Sequence, residues 1–446
     1  MTDTALKVEV ENLSEVKRQL KIEVPSAAVT EEVDKAYREL GKRAKVKGFR
    51  PGKVPRSVLE LYYHKQIEQE VSDTLVRRSL SEALKEKALE PVNLNWPEPL
   101  PQVLAGQDYR YRVEVEVNPE FTVEDYLGLE LSAPEVEVSD AEVEARVEEI
   151  RQANAVLKPL PESREAQEGD FVVLDYQAYF AGKPVAGAKA EGTYVQVGSG
   201  NFNAEFERNL LGLTPGAETR FTVALPQDFA NPLLAGKEVE FQVKIDDIKE
   251  KVVPDLDDAF AQNLGGNFQT LADLRAGVRE DIIKVRERER QAYLENEVVD
   301  RLLGRTNFEV PPSLLSQEQE SIVREQWERL SQQGMNVSGM DPGKMLEVVK
   351  PLAERRVRTK LLLARLATQE GLEVDDAEVA ATLARIAVNS GQEVAQVKKF
   401  YQEHDLLGAL RRQLRQDKTM KLLLGRATVT PLAGASRQGQ EEKETA

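Results

Sequence analysis

The sequence predicts a multidomain α+β protein: an N-terminal α+β domain, an inserted β-rich module, and a long all-helical C-terminal domain with arms. Three observations lead there. A chain of 446 residues exceeds what one hydrophobic core supports. Apolar spacing changes along it from a mixture of periods two and 3.6, to period two alone, to 3.6 alone. Glycines punctuate the middle stretch at Gly182, Gly198, Gly200, Gly212, Gly216 and Gly236, between helical text on either side.

Residues 1–118 form the first domain. Leu20, Ile22 and Val24 alternate with polar neighbours as a half-buried strand does. Pro25-Ser26 opens a helix with Val29, Val33, Tyr37 and Leu40 on one face. A second helix follows Pro55, with Val58, Tyr62, Val71 and Leu75 as its expected inner face. Tyr109, Tyr111, Val113, Val115 and Val117 alternate as the closing strand. Residues 119–165 are read as a linker with a helix from Ser139-Asp140-Ala141-Glu142, where Ser139 is a plausible N-cap.

Residues 166–251 are strand text: Phe221, Val223 and Leu225 alternate, as do Val239, Phe241, Val243 and Ile245. Residues 252–432 are helical. Val278, Ile282, Val285, Ala292, Val299 and Leu302 predict one amphipathic helix, with further stripes near 313–333, 353–370, 376–388 and 405–425. Pro311-Pro312, Pro342 and Gly371 are the expected breaks, and 433–446 is read as a disordered polar tail.

Composition narrows the function classes. Charged residues make up 31% and aromatics 6%, which favours long solvated helices. A formal charge of −17 opposes nucleic acid except at a local basic patch. The absence of cysteine excludes disulfides, iron–sulfur clusters and thiolate zinc. The start, Met1 to Lys7, lacks the basic and apolar regions of a signal peptide, and no apolar run approaches a membrane span. The expectation is a cytoplasmic protein that does not enter membranes.

The sharpest local feature lies between Leu40 and Arg56. It holds Lys42, Arg43, Lys45, Lys47, Arg50, Lys53 and Arg56 and no acid. Its tip, Gly48-Phe49-Arg50-Pro51-Gly52-Lys53, sets an aromatic and cations among glycines and a proline. Such segregation of charge reads as a partner-binding loop: cations for phosphates or carboxylates, Phe49 as an anchor. This signature resembles the ribosome-docking loop of the trigger factor family, although Pro51 stands where the family often carries lysine. The likeness spans nearly the whole chain, including Val253-Pro254-Asp255-Leu256-Asp257-Asp258-Ala259-Phe260 at the β-to-helix junction. It implies partners at the ribosomal tunnel exit, both protein and RNA, and nascent and unfolded polypeptides as clients. It also implies chaperoning without ATP, a weak homodimer off the ribosome, and parts in protein export and the cell division cycle.

The β module resembles FKBP-type peptidyl-prolyl isomerases. On that likeness Tyr176 falls on the pocket tyrosine, Phe202 and Asn203 on the Val-Ile pair, and Phe206 on the aromatic floor. Phe229 falls on a flap aromatic and Phe241 on the late-strand phenylalanine. Val185-Ala186 replaces the family's Phe-Asp, and the second flap tyrosine is missing. The reaction needs no acid, base, metal or cofactor. Rotation about the peptide C–N bond meets a barrier of ~18–20 kcal/mol because the planar bond is partly double. A water-poor aromatic pocket favours the twisted form over the planar one, and that difference is catalysis.

Other chemistry finds no support. His64 and His404 lack ligand spacing. Gly198-Ser199-Gly200 does not extend into a dinucleotide fingerprint, and Gly182-Lys183 and Gly52-Lys53 do not complete a phosphate loop. No nucleotide site is expected. Two rivals stand beside the chaperone reading: a stand-alone prolyl isomerase dimerised by its helices, and a ribosomal RNA or assembly factor. The basic loop argues against the first and the overall acidity against the second.

Overall fold

The computed structural model describes residues 6–47, 49, 53–160, 164–227, 235–266, 268–335 and 341–432. The polar tail from 433 lies outside them. The chain divides into two compact units: residues 1–134 with 291–446, and residues 135–290.

The first unit begins with β1 (Lys7–Asn12), β2 (Lys17–Val24), α1 (Ser26–Arg43), α2 (Arg56–Glu86), β3 (Pro91–Asn95) and β4 (Tyr109–Val117). The strands form an antiparallel sheet in the order β1-β2-β4-β3. The alternating residues of β2 and β4 are buried, and they pack with Val29, Val33, Tyr37 and Leu40 of α1 and Leu59, Ile67, Val71 and Leu75 of α2. Two tyrosines bring hydroxyls into this core, and each finds a serine: Tyr109 with Ser72 at 2.7 Å and Tyr111 with Ser79 at 2.8 Å. Burial pushes the Tyr111 phenol up to about 12, so it stays neutral and bonded. The expected inner face of α2 needs correcting. Val71 and Leu75 are buried, but Val58 is only half-buried and Tyr62 is exposed, because Leu59 and Ile67 supply the packing stripe instead.

Strand β5 (Glu130–Ala133) follows. The second unit holds α3 (Asp140–Ala153), β6 (Val156–Pro159), β7 (Phe171–Phe180), β8 (Lys183–Gln196), α4 (Ala204–Arg208), β9 (Glu218–Ala224), β10 (Glu238–Val252) and α5 (Asp258–Asn263). Ser139 caps α3 through a capping box: its hydroxyl accepts the Glu142 amide, and the Glu142 carboxylate accepts the Ser139 amide. The sheet runs β6-β10-β7-β8, with β9 on β10, all antiparallel. Helix α6 (Leu271–Arg305) contributes residues 271–290 to this unit and 291–305 to the other.

The helix α6 was expected to carry one continuous stripe, and it does not. Leu274 and Val278 bury with Val143, Val147 and Phe260, whereas Leu294, Val298, Val299 and Leu302 bury in the helical body. Val285 and Ala292 between them are exposed. The two buried ends serve separate cores, so no single face runs the length of the helix.

The helical body continues with α7 (Pro312–Gln332), α8 (Pro342–Gln369), α9 (Asp376–Ser390), α10 (Val394–Glu403), α11 (Leu407–Arg426) and β11 (Thr428–Pro431), which pairs parallel with β5. Pro312 and Pro342 are first-turn residues, where a missing N–H costs nothing. Helix α8 thus starts eleven residues before the expected 353 and carries Pro351 within it. Helix α10 and the β5–β11 pair were not anticipated. Glu116 of the N-terminal domain accepts the Ser313 amide of α7 at 3.0 Å, and just beyond the domain Phe121 stacks on Phe308, 4.1 Å between ring centres.

Candidate functional site

The aromatic residues of the β module come together on the face of its sheet. Tyr176 stands on β7, Phe221 on β9 and Phe241 on β10, where Phe221 and Phe241 are register partners. Helix α4 lays Phe206 onto them. Its ring is fully buried and lies 5.1 Å from Phe221, 5.1 Å from Phe241, 4.6 Å from Phe202 and 6.2 Å from Tyr176. Edge-to-face geometry dominates, as ring quadrupoles prefer. Phe206 is the floor, and half-buried Tyr176 with Phe202, 40% exposed, forms the rim facing solvent.

Asn203 does different work. Its Oδ1 accepts the amides of Glu205 at 2.9 Å and Phe206 at 3.1 Å, which caps α4 and sets the depth of Phe206. Val185 is half-buried and packs against this core. Phe229 lies outside the described residues.

Two members of the site were missed by sequence reasoning. Phe221 was read as part of an alternating strand, and only its pairing opposite Phe241 brings it to Phe206. Glu207 looks like an ordinary acid on a short helix, yet it is 1% exposed. Its carboxylate accepts the amides of Gly200 at 2.7 Å and Phe202 at 3.0 Å and the Ser199 hydroxyl at 3.3 Å. Burial alone would push this carboxyl up; the amides of Gly200 and Phe202 and the Ser199 hydroxyl outweigh it and hold the group below the ordinary carboxylate range. The loop begins at Gly198, whose φ is +84° and whose missing Cβ would lie 2.7 Å from Glu168 Cγ. The positive φ favours glycine there, while the exposed Glu168 side chain could swing away from an added Cβ.

At the other candidate site, Phe49 is 40% exposed in the connection between α1 and α2. Gly48, Arg50, Pro51 and Gly52 lie outside the described residues. Not every cation nearby is free to meet a partner. Arg56 pairs with Asp34 at 2.5 Å and Glu60 at 2.8 Å and lies over the Tyr37 ring, and Arg43 reaches Glu70 at 3.5 Å. Lys42, Lys45, Lys47 and Lys53 make no ion pair among the described residues. Arg56 is a staple between the two helices; the lysines are the available charges.

Comparison with known proteins covers most of the chain. The family described as bacterial trigger factor protein matches residues 6–150, and its C-terminal part matches 270–425. The FKBP-type peptidyl-prolyl cis-trans isomerase family matches residues 162–246, which hold the aromatic cluster. Trigger factor of Geobacter metallireducens is 36% identical over 428 residues, 95% of this chain and 98% of that one. Trigger factor of Geotalea daltonii is 34% identical over 430 residues, 95% and 98% of the two chains. A solved trigger factor chaperone, described for promiscuous substrate recognition in folding and assembly, shares the fold with a TM-score of 0.50 at 22% identity, over 94% of this chain and 99% of that one. With both trigger factor regions in place and an isomerase module set between them, the chain belongs to the trigger factor family and carries an FKBP-type peptidyl-prolyl isomerase domain.

Proposed function

We propose that this chaperone docks on the ribosome at the tunnel exit through the α1–α2 connection, receives nascent chains there, and works in the cytoplasm without ATP. Exposed Phe49, beside lysines that make no ion pair among the described residues, carries the docking part of the reading. In a chain of net charge −17, a local basic patch of this kind favours an anionic partner. Clients would be held by scattered apolar side chains of the helical body, among them Val348 on α8 and Val388 and Phe400 on α9 and α10, all exposed. Several weak contacts suit an unfolded chain, whose apolar segments are short and dispersed. Release then follows from affinity alone, and a nascent chain so held stays open for folding or export.

Within the isomerase module, Tyr176, Phe202, Phe206, Phe229 and Phe241 are proposed to line the proline pocket, with Asn203 placing Phe206 rather than touching the substrate. The twisted peptide sheds part of its dipole, and the aromatic surface costs that state less than it costs the planar one. Without an acid at position 186, turnover on short peptides is expected to be modest and secondary to chaperoning. Co-sedimentation with ribosomes over a salt series tests docking. Association should weaken steadily as salt screens the lysines, and a chain that stays in the supernatant at low salt would overturn the reading.

A further inference from the structure

The chain has 5 methionines and no cysteine, so all its oxidisable sulfur is thioether. Met335, Met340 and Met345 crowd the turn from α7 to α8. Met340 lies outside the described residues, Met335 is 49% exposed just past the end of α7, and Met420 is buried in the helical body. Met345 is placed differently. Half-buried on α8, it turns its sulfur to Trp327 of α7, whose indole N–H donates to Sδ at 3.1 Å. The pair packs against Ile322, Val323, Val349 and Ala353, the small core that joins these two helices. Ion pairs tie the same helices elsewhere: Glu318 takes Lys360 and Arg356, and Glu325 takes Arg356.

We propose that Met345 is a reversible oxidation site with peroxide as its substrate, and that its sulfoxide loosens the α7–α8 packing so that the helical body holds more client. One sulfur lone pair accepts the Trp327 N–H, which leaves the other to attack peroxide. An S–O bond forms as the O–O bond breaks, and sulfur gives up two electrons. The departing hydroxide takes the proton of the transferred oxygen and leaves as water. A thioether is a weak acceptor that packs as an apolar group, whereas a sulfoxide oxygen is polar and demands a donor. It must reach water or the indole N–H, and either move turns Met345 out of its apolar seat. Ile322 and Val349 then lose cover beside Val348, which is already exposed. The ion pairs contain no sulfur, so the helices stay joined while their apolar seam opens. Methionine sulfoxide reductases restore the thioether and close it again. Oxidation of Met335 changes little, because that side chain is already half in water. The consequence for clients rests on the reading that the helical body holds them.

The test treats the full chain with hydrogen peroxide and maps sulfoxide by peptide mass spectrometry. Met335 and Met345 should be oxidised while Met420 stays reduced. In a Trp96→Phe background, Trp327 emission should shift to the red as Met345 is oxidised. The oxidised chain should halve aggregation of a denatured client at about half the concentration, since more apolar side chains share the hold. Met345→Leu keeps the volume and should abolish the emission shift and the gain; Met335→Leu should abolish neither. Should the Met345 variant misfold, Met335→Leu with Met340→Leu decides: a gain there that reductase reverses belongs to Met345. A Met345 that stays reduced, holding that is unchanged or weakened by peroxide, or a Met345→Leu chain that gains as much as wild type would each overturn the inference. Untreated chain that gives no protection would sink the holding reading and this inference with it.

Discussion

Glu207 and Phe202 are joined by a hydrogen bond from the Phe202 amide to the buried carboxylate, 3.0 Å long. A charged group in the interior thus fixes the most exposed ring of the aromatic cluster among the described residues. Glu207→Gln keeps the shape but sets an NH2 donor among amides that need an acceptor. An unsatisfied buried donor costs about 1–3 kcal/mol. We expect the loop from Ser199 to Asn203 to loosen and isomerase efficiency to fall roughly tenfold, a loss of ~1.4 kcal/mol in transition-state binding. Proline-limited refolding of a client, followed at matched protein concentration, measures it; unchanged efficiency in a folded variant would remove Glu207 from the site.

Phe202 and Phe206 should respond differently to truncation. Phe206 contacts four other rings and is fully buried, so Phe206→Ala should destabilise the module by about 3–5 kcal/mol. Phe202→Ala removes a partly exposed rim ring, and it should lower activity several-fold while costing clearly less stability than Phe206→Ala. Calorimetry beside the refolding assay separates the two, and equal stability losses would show that the floor-and-rim distinction is wrong.

For docking, replacing Phe49, Arg50 and Lys53 together by alanine should cut ribosome association at least several-fold. Arg56→Ala should act on the domain instead, since its partners Asp34, Glu60 and Tyr37 are all intramolecular. A fall in ribosome binding for Arg56→Ala as large as for the triple variant, without a change in unfolding midpoint, would return Arg56 to the interface.

Glu142 links helix capping to acid stability. Arg286 foremost, and the amide and hydroxyl of Ser139, bring its carboxyl down to about 2. The folded state therefore binds this proton more weakly than the unfolded one, whose ordinary value is 4.5. The contribution is complete above about 4.5 and is lost as pH falls toward about 2. Thermal midpoints of wild type and Glu142→Gln should converge over that window and differ by a constant above it. Parallel curves down to pH 2 would remove Glu142 as a source of acid sensitivity.

Chaperoning should survive without the isomerase module. Strands β6 and β10 pair side by side, with Val156 opposite Val252, so the chain enters and leaves the module at neighbouring positions. Deleting residues 156–252 behind a short glycine–serine linker should leave a soluble protein that still suppresses aggregation of a denatured client, with isomerase activity gone. Light scattering during client dilution reads this directly; a folded deletion variant without protection would place the client surface in the β module.

What the sequence revealed follows from range. Period-two text at Leu20–Val24 and Tyr109–Val117 is a local consequence of one buried sheet face, and both strands were legible. The Ser139–Glu142 cap spans three residues and was legible too. Helix α2 carries two apolar stripes, and periodicity cannot say which of them a sheet will cover; hence the misplacing of Tyr62. Strands β5 and β11 are four residues each and almost three hundred residues apart, so nothing local marks their pairing. Phe221 and Glu207 became site residues only through a register and a loop fold that bring distant groups within hydrogen-bonding or stacking range.

The β6–β10 ladder has a mechanical consequence. Its outer rung, Val156 opposite Val252, is where both chain ends emerge. Tension applied across those two points would load the hydrogen bonds one rung at a time, as a zipper opens, because antiparallel bonds lie perpendicular to the strands. Resistance to force in that geometry is that of a single rung, whatever the thermodynamic stability of the core behind it.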